Sequence, residues 1–105
     1  MHIILIRRCV KENSEREFLK NYKEQKPTAN PDFLKETLTK VRNSNDLPMS
    51  MRNMPINCEN CVTYINIAWW KSAEAFIKQF NPQIDYDPKI ECEPKVRIVL
   101  DEVEI

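Results

Sequence analysis

A chain of 105 residues is expected to form one domain with a modest core, and 42% hydrophobic with 30% charged residues marks a folding globular sequence. Sixteen basic side chains against sixteen acidic ones leave no net field to gather polyanions, so nucleic acid is excluded as the expected partner. The absence of glycine excludes the dinucleotide fingerprint and the phosphate-binding loop, both of which need backbone close to phosphate where a side chain would collide.

The opening MHIILIRR holds an apolar run of four residues closed by two arginines. It lacks the length of a membrane span and the basic start and small-residue cleavage site of a secretory signal. A cytoplasmic protein with no membrane partner is expected, its four cysteines reduced. Without glycine, left-handed backbone positions fall to the next most tolerant residue. Ten asparagines, with Asn43, Asn45, Asn60 and Asn81 at apparent breaks, supply it.

Residues 3–10, IILIRRCV, are apolar and β-branched and predict a buried strand. Ser14 with Glu17 has capping-box spacing, and Phe18, Leu19 and Tyr22 then share a helical face until Pro27 forbids continuation, which predicts a helix over about 14–26. After the breaker PTANPD, Phe33, Lys35, Thr37, Thr39 and Val41 alternate with Leu34, Glu36, Leu38 and Lys40 in a less buried strand suited to a sheet edge. Residues 44–60 form a long loop. The clearest strand follows at 61–69, with Cys61, Thr63, Ile65, Ile67 and Trp69 on one face and Val62, Tyr64, Asn66 and Ala68 on the other. Ser72 caps a second helix striped by Phe76, Ile77 and Phe80, ending at Asn81-Pro82. A second long loop, 81–94, leads to the closing strand VRIVLDEVEI.

The order β-α-β-β-α-β is the ferredoxin-like, split βαβ arrangement of an α+β fold, with a four-stranded antiparallel sheet in the order 4-1-3-2. Both helices cover one face of such a sheet. The other face is largely apolar along residues 61–69, and its expected cover is a second copy of the chain related by a two-fold axis.

The segment YINIAWWKSAEAFIKQF carries a further signal: Asn on an apolar strand, then Trp, Ser, Glu and an Ala-aromatic pair, at Asn66, Trp70, Ser72, Glu74, Ala75 and Phe76. With Pro31, Phe33 and Leu34 upstream, it resembles the antibiotic biosynthesis monooxygenase-like family, whose members are dimeric α+β barrels of two ferredoxin-like subunits. The resemblance implies a cofactor-independent monooxygenase that deprotonates a small aromatic quinol and passes an electron to dioxygen without flavin or metal. Asn66 and Trp70 are the implied catalytic pair, hydrogen-bonding substrate oxygen in a cavity between sheet and helices, where exclusion of water strengthens such bonds. Tyr64, Phe76, Phe18 and Tyr22 are the aromatic residues expected to contact the substrate. Phe76 stands where some members carry Tyr, and no general base is assigned, since His2 is the only histidine. The same cavity would equally serve a dimeric module that binds a small ligand without turning it over.

The pair Cys58 and Cys61 has Cys-x-x-Cys spacing, yet it leads into a strand, whereas dithiol centres activate the first thiol at a helix N-terminus. In the 4-1-3-2 order Cys9, Cys61 and Cys92 fall at one end of the sheet, with Cys58 in the adjoining loop. Four thiolates there suit zinc, and Met49, Met51 and Met54 would add ligands for Cu(I). Buried free cysteine and gap-filling methionine are the alternative without metal.

Overall fold

In the computed structural model, which describes residues 2–42, 47–51, 60–80 and 87–105, the predicted order is present. Strand β1 (His2–Lys11) leads through a short 3-10 turn into helix α1 (Glu15–Glu24). Strands β2 (Phe33–Lys40) and β3 (Cys61–Trp70), helix α2 (Ala73–Gln79) and strand β4 (Val96–Asp101) complete the ferredoxin-like βαββαβ fold. The sheet is antiparallel throughout, in the order β2-β3-β1-β4, with β2 at an edge.

Alternation along the two central strands separates the faces. Ile4 of β1 lies opposite Ala68 of β3, and Ile6 opposite Asn66, on the side that the helices cover. There Ala75 and Phe76 of α2 pack on Ile4, Ala68 and Trp70, while Phe18 of α1 packs with Val10, Tyr64 and Ile90. Leu5, Ile65, Ile67 and Trp69 take the opposite face with Ile98 and Leu100 of β4; they are half-buried, except for the last two, which are exposed.

Two capping expectations separate. Ser72 Oγ accepts the Ala75 N–H at 3.1 Å and caps α2. Ser14 makes no such bond at α1, because it belongs to the 3-10 turn of Glu12–Ser14, and its hydroxyl is directed to Asn13 and the Lys89 carbonyl. Ile77 is 54% exposed, so the buried stripe of α2 is Ala75 and Phe76. Asn60 adopts φ 58°, the one positive φ among the described residues, and takes the left-handed position that a glycine would ordinarily fill. Asn43, Asn45 and Asn81 lie outside the described residues.

The cysteine expectation is corrected. Cys61 and Cys92 form a disulfide, so the four thiols are not all reduced. Topology is the reason. Cys61 pairs with Lys11 at the end of β1, and on the other side of β1 the Cys92 N–H donates to the Cys9 carbonyl at 2.8 Å. The disulfide therefore bridges across the strand. The three predicted cysteines do meet at one end of the sheet: Cys9, buried, approaches Glu93 Oε1 at 3.3 Å through its Sγ. A thiolate tetrad would need two sulfurs that the disulfide has taken. Cys58 and Met54 lie outside the described residues, and among those described no three His, Cys, Asp or Glu side chains cluster as a metal site.

Candidate functional site

Ala68 is the smallest side chain on the helical face of β3, between Asn66 and Trp70. A large residue there would fill the space between sheet and helices; alanine leaves a cavity. Its inner compartment, about 80 Å³, is floored by Ala68 and bounded by Asn66 and Trp70 along β3 and Glu36 across on β2. Tyr22 of α1 and Phe76 of α2 close it from above. A wider compartment of about 400 Å³ lies alongside and includes Phe18 and Glu91 in its wall. Arg8, Gln25, Phe80, Lys95 and Arg97 line both, so the two are contiguous.

The inner compartment gathers buried polar atoms that lack a partner. Asn66 Oδ1, Trp70 Nε1, Glu36 Oε1 and the Tyr22 hydroxyl are all buried without a hydrogen bond among the described residues. Native interiors leave few such atoms, because each costs about 1–3 kcal/mol when desolvated and unpaired. All four belong to side chains that line the inner compartment.

The indole of Trp70 is held by three aromatic rings. Phe33, Phe76 and Phe80 meet it edge-on at centroid distances of 5.3, 5.7 and 6.1 Å. This arrangement holds the unpaired N–H in a definite direction. Asn66 donates from Nδ2 to Glu36 Oε2 at 3.2 Å. A carboxylate only accepts, so the amide must turn its NH2 toward Glu36, which leaves Oδ1 as an acceptor. Trp70 thus offers an N–H donor, and Asn66 offers an oxygen beside the second N–H of its amide.

Tyr22 stands near enough to Glu36 for its pKa to rise, first from burial and then from the carboxylate's charge, with Arg8 opposing. The hydroxyl is close enough to the carboxylate for a hydrogen-bond contribution to add to that rise, although the contact falls short of strict hydrogen-bond geometry. Arg8 is itself committed, donating to both oxygens of the buried Glu91 at 2.9 and 3.2 Å while its guanidinium lies 4.6 Å from the Phe18 ring centre.

The structure thus brings Asn66, Trp70, Phe76 and Tyr22 to the inner compartment and Phe18 to the outer one. Tyr64 lines neither. Its hydroxyl donates to Glu15 Oε1 at 2.6 Å, its ring packs on Phe18, and burial with the Glu15 contact pushes its pKa up to about 12. Glu36, Arg8, Lys95 and Arg97 were not anticipated as site residues. Only Arg8 gave any signal, as a charge within an apolar strand.

No family model matches this sequence, and no curated protein matches it. Among solved structures, the chain is similar to SnoaB, a cofactor-independent oxygenase from Streptomyces nogalater determined in a mutant form, with a TM-score of 0.60 and 14% identity. The match covers 99% of this chain and 95% of that one, so the ferredoxin-like fold is shared over its whole length.

Proposed function

We propose that the chain is a cofactor-independent oxygenase acting on a small aromatic quinol held against Asn66 and Trp70. The observation that supports it is the convergence of four unpaired polar atoms on the Ala68 cavity. The fold likeness to SnoaB, itself a cofactor-independent oxygenase, suggests this reaction class. In this reading Trp70 Nε1–H donates to an oxygen on which negative charge develops, and Asn66 Oδ1 accepts from a substrate hydroxyl. The substrate anion gives an electron to dioxygen, and the radical pair then forms a carbon–oxygen bond. For a methylene oxidised to a carbonyl, one dioxygen supplies the carbonyl oxygen and the oxygen of the water released.

The working unit is proposed to be a homodimer joined through the open sheet face, where Leu5, Ile65, Ile67 and Trp69 lie beside the exposed Ile98 and Leu100. Among the described residues no helix is long and apolar enough to cross a membrane. The cytoplasmic expectation loses one of its grounds, the reduced thiols, to the Cys61–Cys92 disulfide.

Oxygen uptake across a panel of quinols and anthrone-type phenols tests the reading. Turnover that Trp70→Phe and Ala68→Leu both abolish supports it, because one variant removes the donor and the other fills the cavity. The narrowness of the inner compartment, about 80 Å³ where ligand sites commonly offer about 300 Å³ or more, favours a second reading: a module that binds a small phenol without turnover. Saturable binding of the panel with no oxygen consumed would decide for the second reading.

A further inference from the structure

The oxygenase reading leaves the group that takes the substrate proton unassigned, and the lone histidine does not supply it: His2 is bound to Asp101 at 2.8 Å. The other acidic side chains near the helical face are engaged, Asp87 of the outer compartment by the Lys89 N–H at 2.9 Å. Glu91 receives both its bonds from Arg8, and Glu15 is held by Tyr64 and Lys40. Glu36 differs from these. It makes no ion pair among the described residues and lines the cavity; one oxygen is bound by the neutral Asn66 amide, and the other is buried without a hydrogen bond of good geometry, the Tyr22 hydroxyl standing near the carboxylate.

We propose that Glu36 is the proton acceptor for a phenolic hydroxyl bound in this cavity, with Asn66 as the residue that positions it. This assignment rests on the oxygenase reading for its catalytic consequence, but its geometry stands apart from turnover. The register gives the placement: Glu36 lies opposite Ala68, midway between Asn66 and Trp70. A phenol seated on Ala68 with one oxygen at the indole N–H would have a hydroxyl within reach of the Glu36 side of the cavity. In the step, the substrate O–H bond breaks, its electron pair stays on the substrate oxygen and the proton passes to Glu36 Oε1; nothing is oxidised or reduced. The Asn66 N–H to Oε2 steers the carboxylate so that Oε1 faces the ligand. Tyr22 from α1, Arg8 from β1, Lys95 just before β4 and Arg97 within it also line this space, and they remain in every Glu36 variant.

The test uses 4-nitrophenol, whose phenolate absorbs visible light, bound to the wild-type chain and to Glu36→Gln. Removing the facing carboxylate lowers the bound phenol's ionisation midpoint by at least about one pH unit, a tenfold change in its acid dissociation. Glu36→Asp, which keeps the charge and draws it back, falls between them and serves if the glutamine variant does not fold. With an active quinol, Glu36→Gln lowers kcat about 100-fold at unchanged KM. The deficit narrows as pH rises and the substrate ionises unaided. Equal nitrophenol titrations in wild type and variant overturn the assignment whatever the turnover. A lower midpoint in the variant with no oxygen uptake by the wild type overturns the oxygenase reading alone and leaves Glu36 as the carboxylate that faces the hydroxyl; a higher midpoint overturns the assignment.

Discussion

Replacing Asn66 and Glu36 together with leucine should stabilise the protein, while Asn66→Leu alone should destabilise it. Among the described residues the wild-type pair leaves Asn66 Oδ1 and Glu36 Oε1 buried without a hydrogen-bond partner and makes one bond, Nδ2 to Oε2 at 3.2 Å. Each unpaired atom costs about 1–3 kcal/mol, and a bond to a charged group contributes about 1.5–3 kcal/mol. The cavity is polar and roomy enough to admit water, so the low end of the penalty applies. Two leucines remove both penalties and the bond, and they add apolar burial, for a net gain of about 1–2 kcal/mol. Asn66→Leu alone removes the amide donor from a half-buried carboxylate and should cost about 2–3 kcal/mol. A 105-residue domain shifts its Tm by about 4–5 °C per kcal/mol, so thermal denaturation separates the two outcomes by well over 10 °C. A double variant less stable than wild type would refute the reasoning, because it would mean that Asn66 and Glu36 hold the core together and are not kept for a ligand.

The disulfide closes a segment with a separation of 31 residues, so chain entropy predicts that Cys61→Ser with Cys92→Ser lowers unfolding free energy by about 3–4 kcal/mol, read by urea titration. Ser72→Ala should cost about 1 kcal/mol through the lost cap on Ala75 N–H, whereas Ser14→Ala, whose side chain caps nothing, should stay within about 0.5 kcal/mol of wild type. Glu15 has its pKa lowered by Tyr64 first and then by Lys40, so its contribution is present above its ordinary value of 4.5 and disappears as pH falls through the depressed one. Tyr64→Phe should therefore reduce the loss of stability between pH 6 and pH 3, roughly, in urea titrations. Ile67→Lys, at the centre of the open face, should convert the proposed dimer to a monomer in light scattering.

The fold was legible because both central strands alternate and each helix has a bounded apolar stripe. Asn66 and Trp70, singled out by the family resemblance, fall on one cavity because alternation along β3 puts both on the helical face with Ala68. The disulfide was not legible. Cys61 and Cys92 could be placed at one end of the sheet from topology, but spacing says nothing about whether two sulfurs bond, and the expectation of reduced thiols left no disulfide to place. Tyr64 looked like a cavity residue because it shares a face with Asn66. Its hydroxyl instead lies under α1, where the chain brings Glu15 to meet it.

Glu36 was hidden by a different cause. Strict alternation from Phe33 places Lys35, Thr37 and Thr39 on the same side as Phe33 and sends Glu36 to the opposite one. In the structure Phe33 pairs with Trp70 and Lys35 with Trp69, an irregularity that inserts Leu34 as an extra, exposed residue. The side chains after it change sides. Phe33 packs against the Trp70 ring under the helices, Lys35 lies 4.4 Å over the Trp69 ring on the open face, and Glu36 returns to the helical face opposite Ala68. A bulge re-aims one side chain without disturbing the ladder beyond it. Here it gives the cavity both Phe33, which helps fix the indole, and Glu36, which stands across from it. No regular strand could direct both residues, three apart in sequence, to the same face, so the irregularity at Leu34 is itself part of the site.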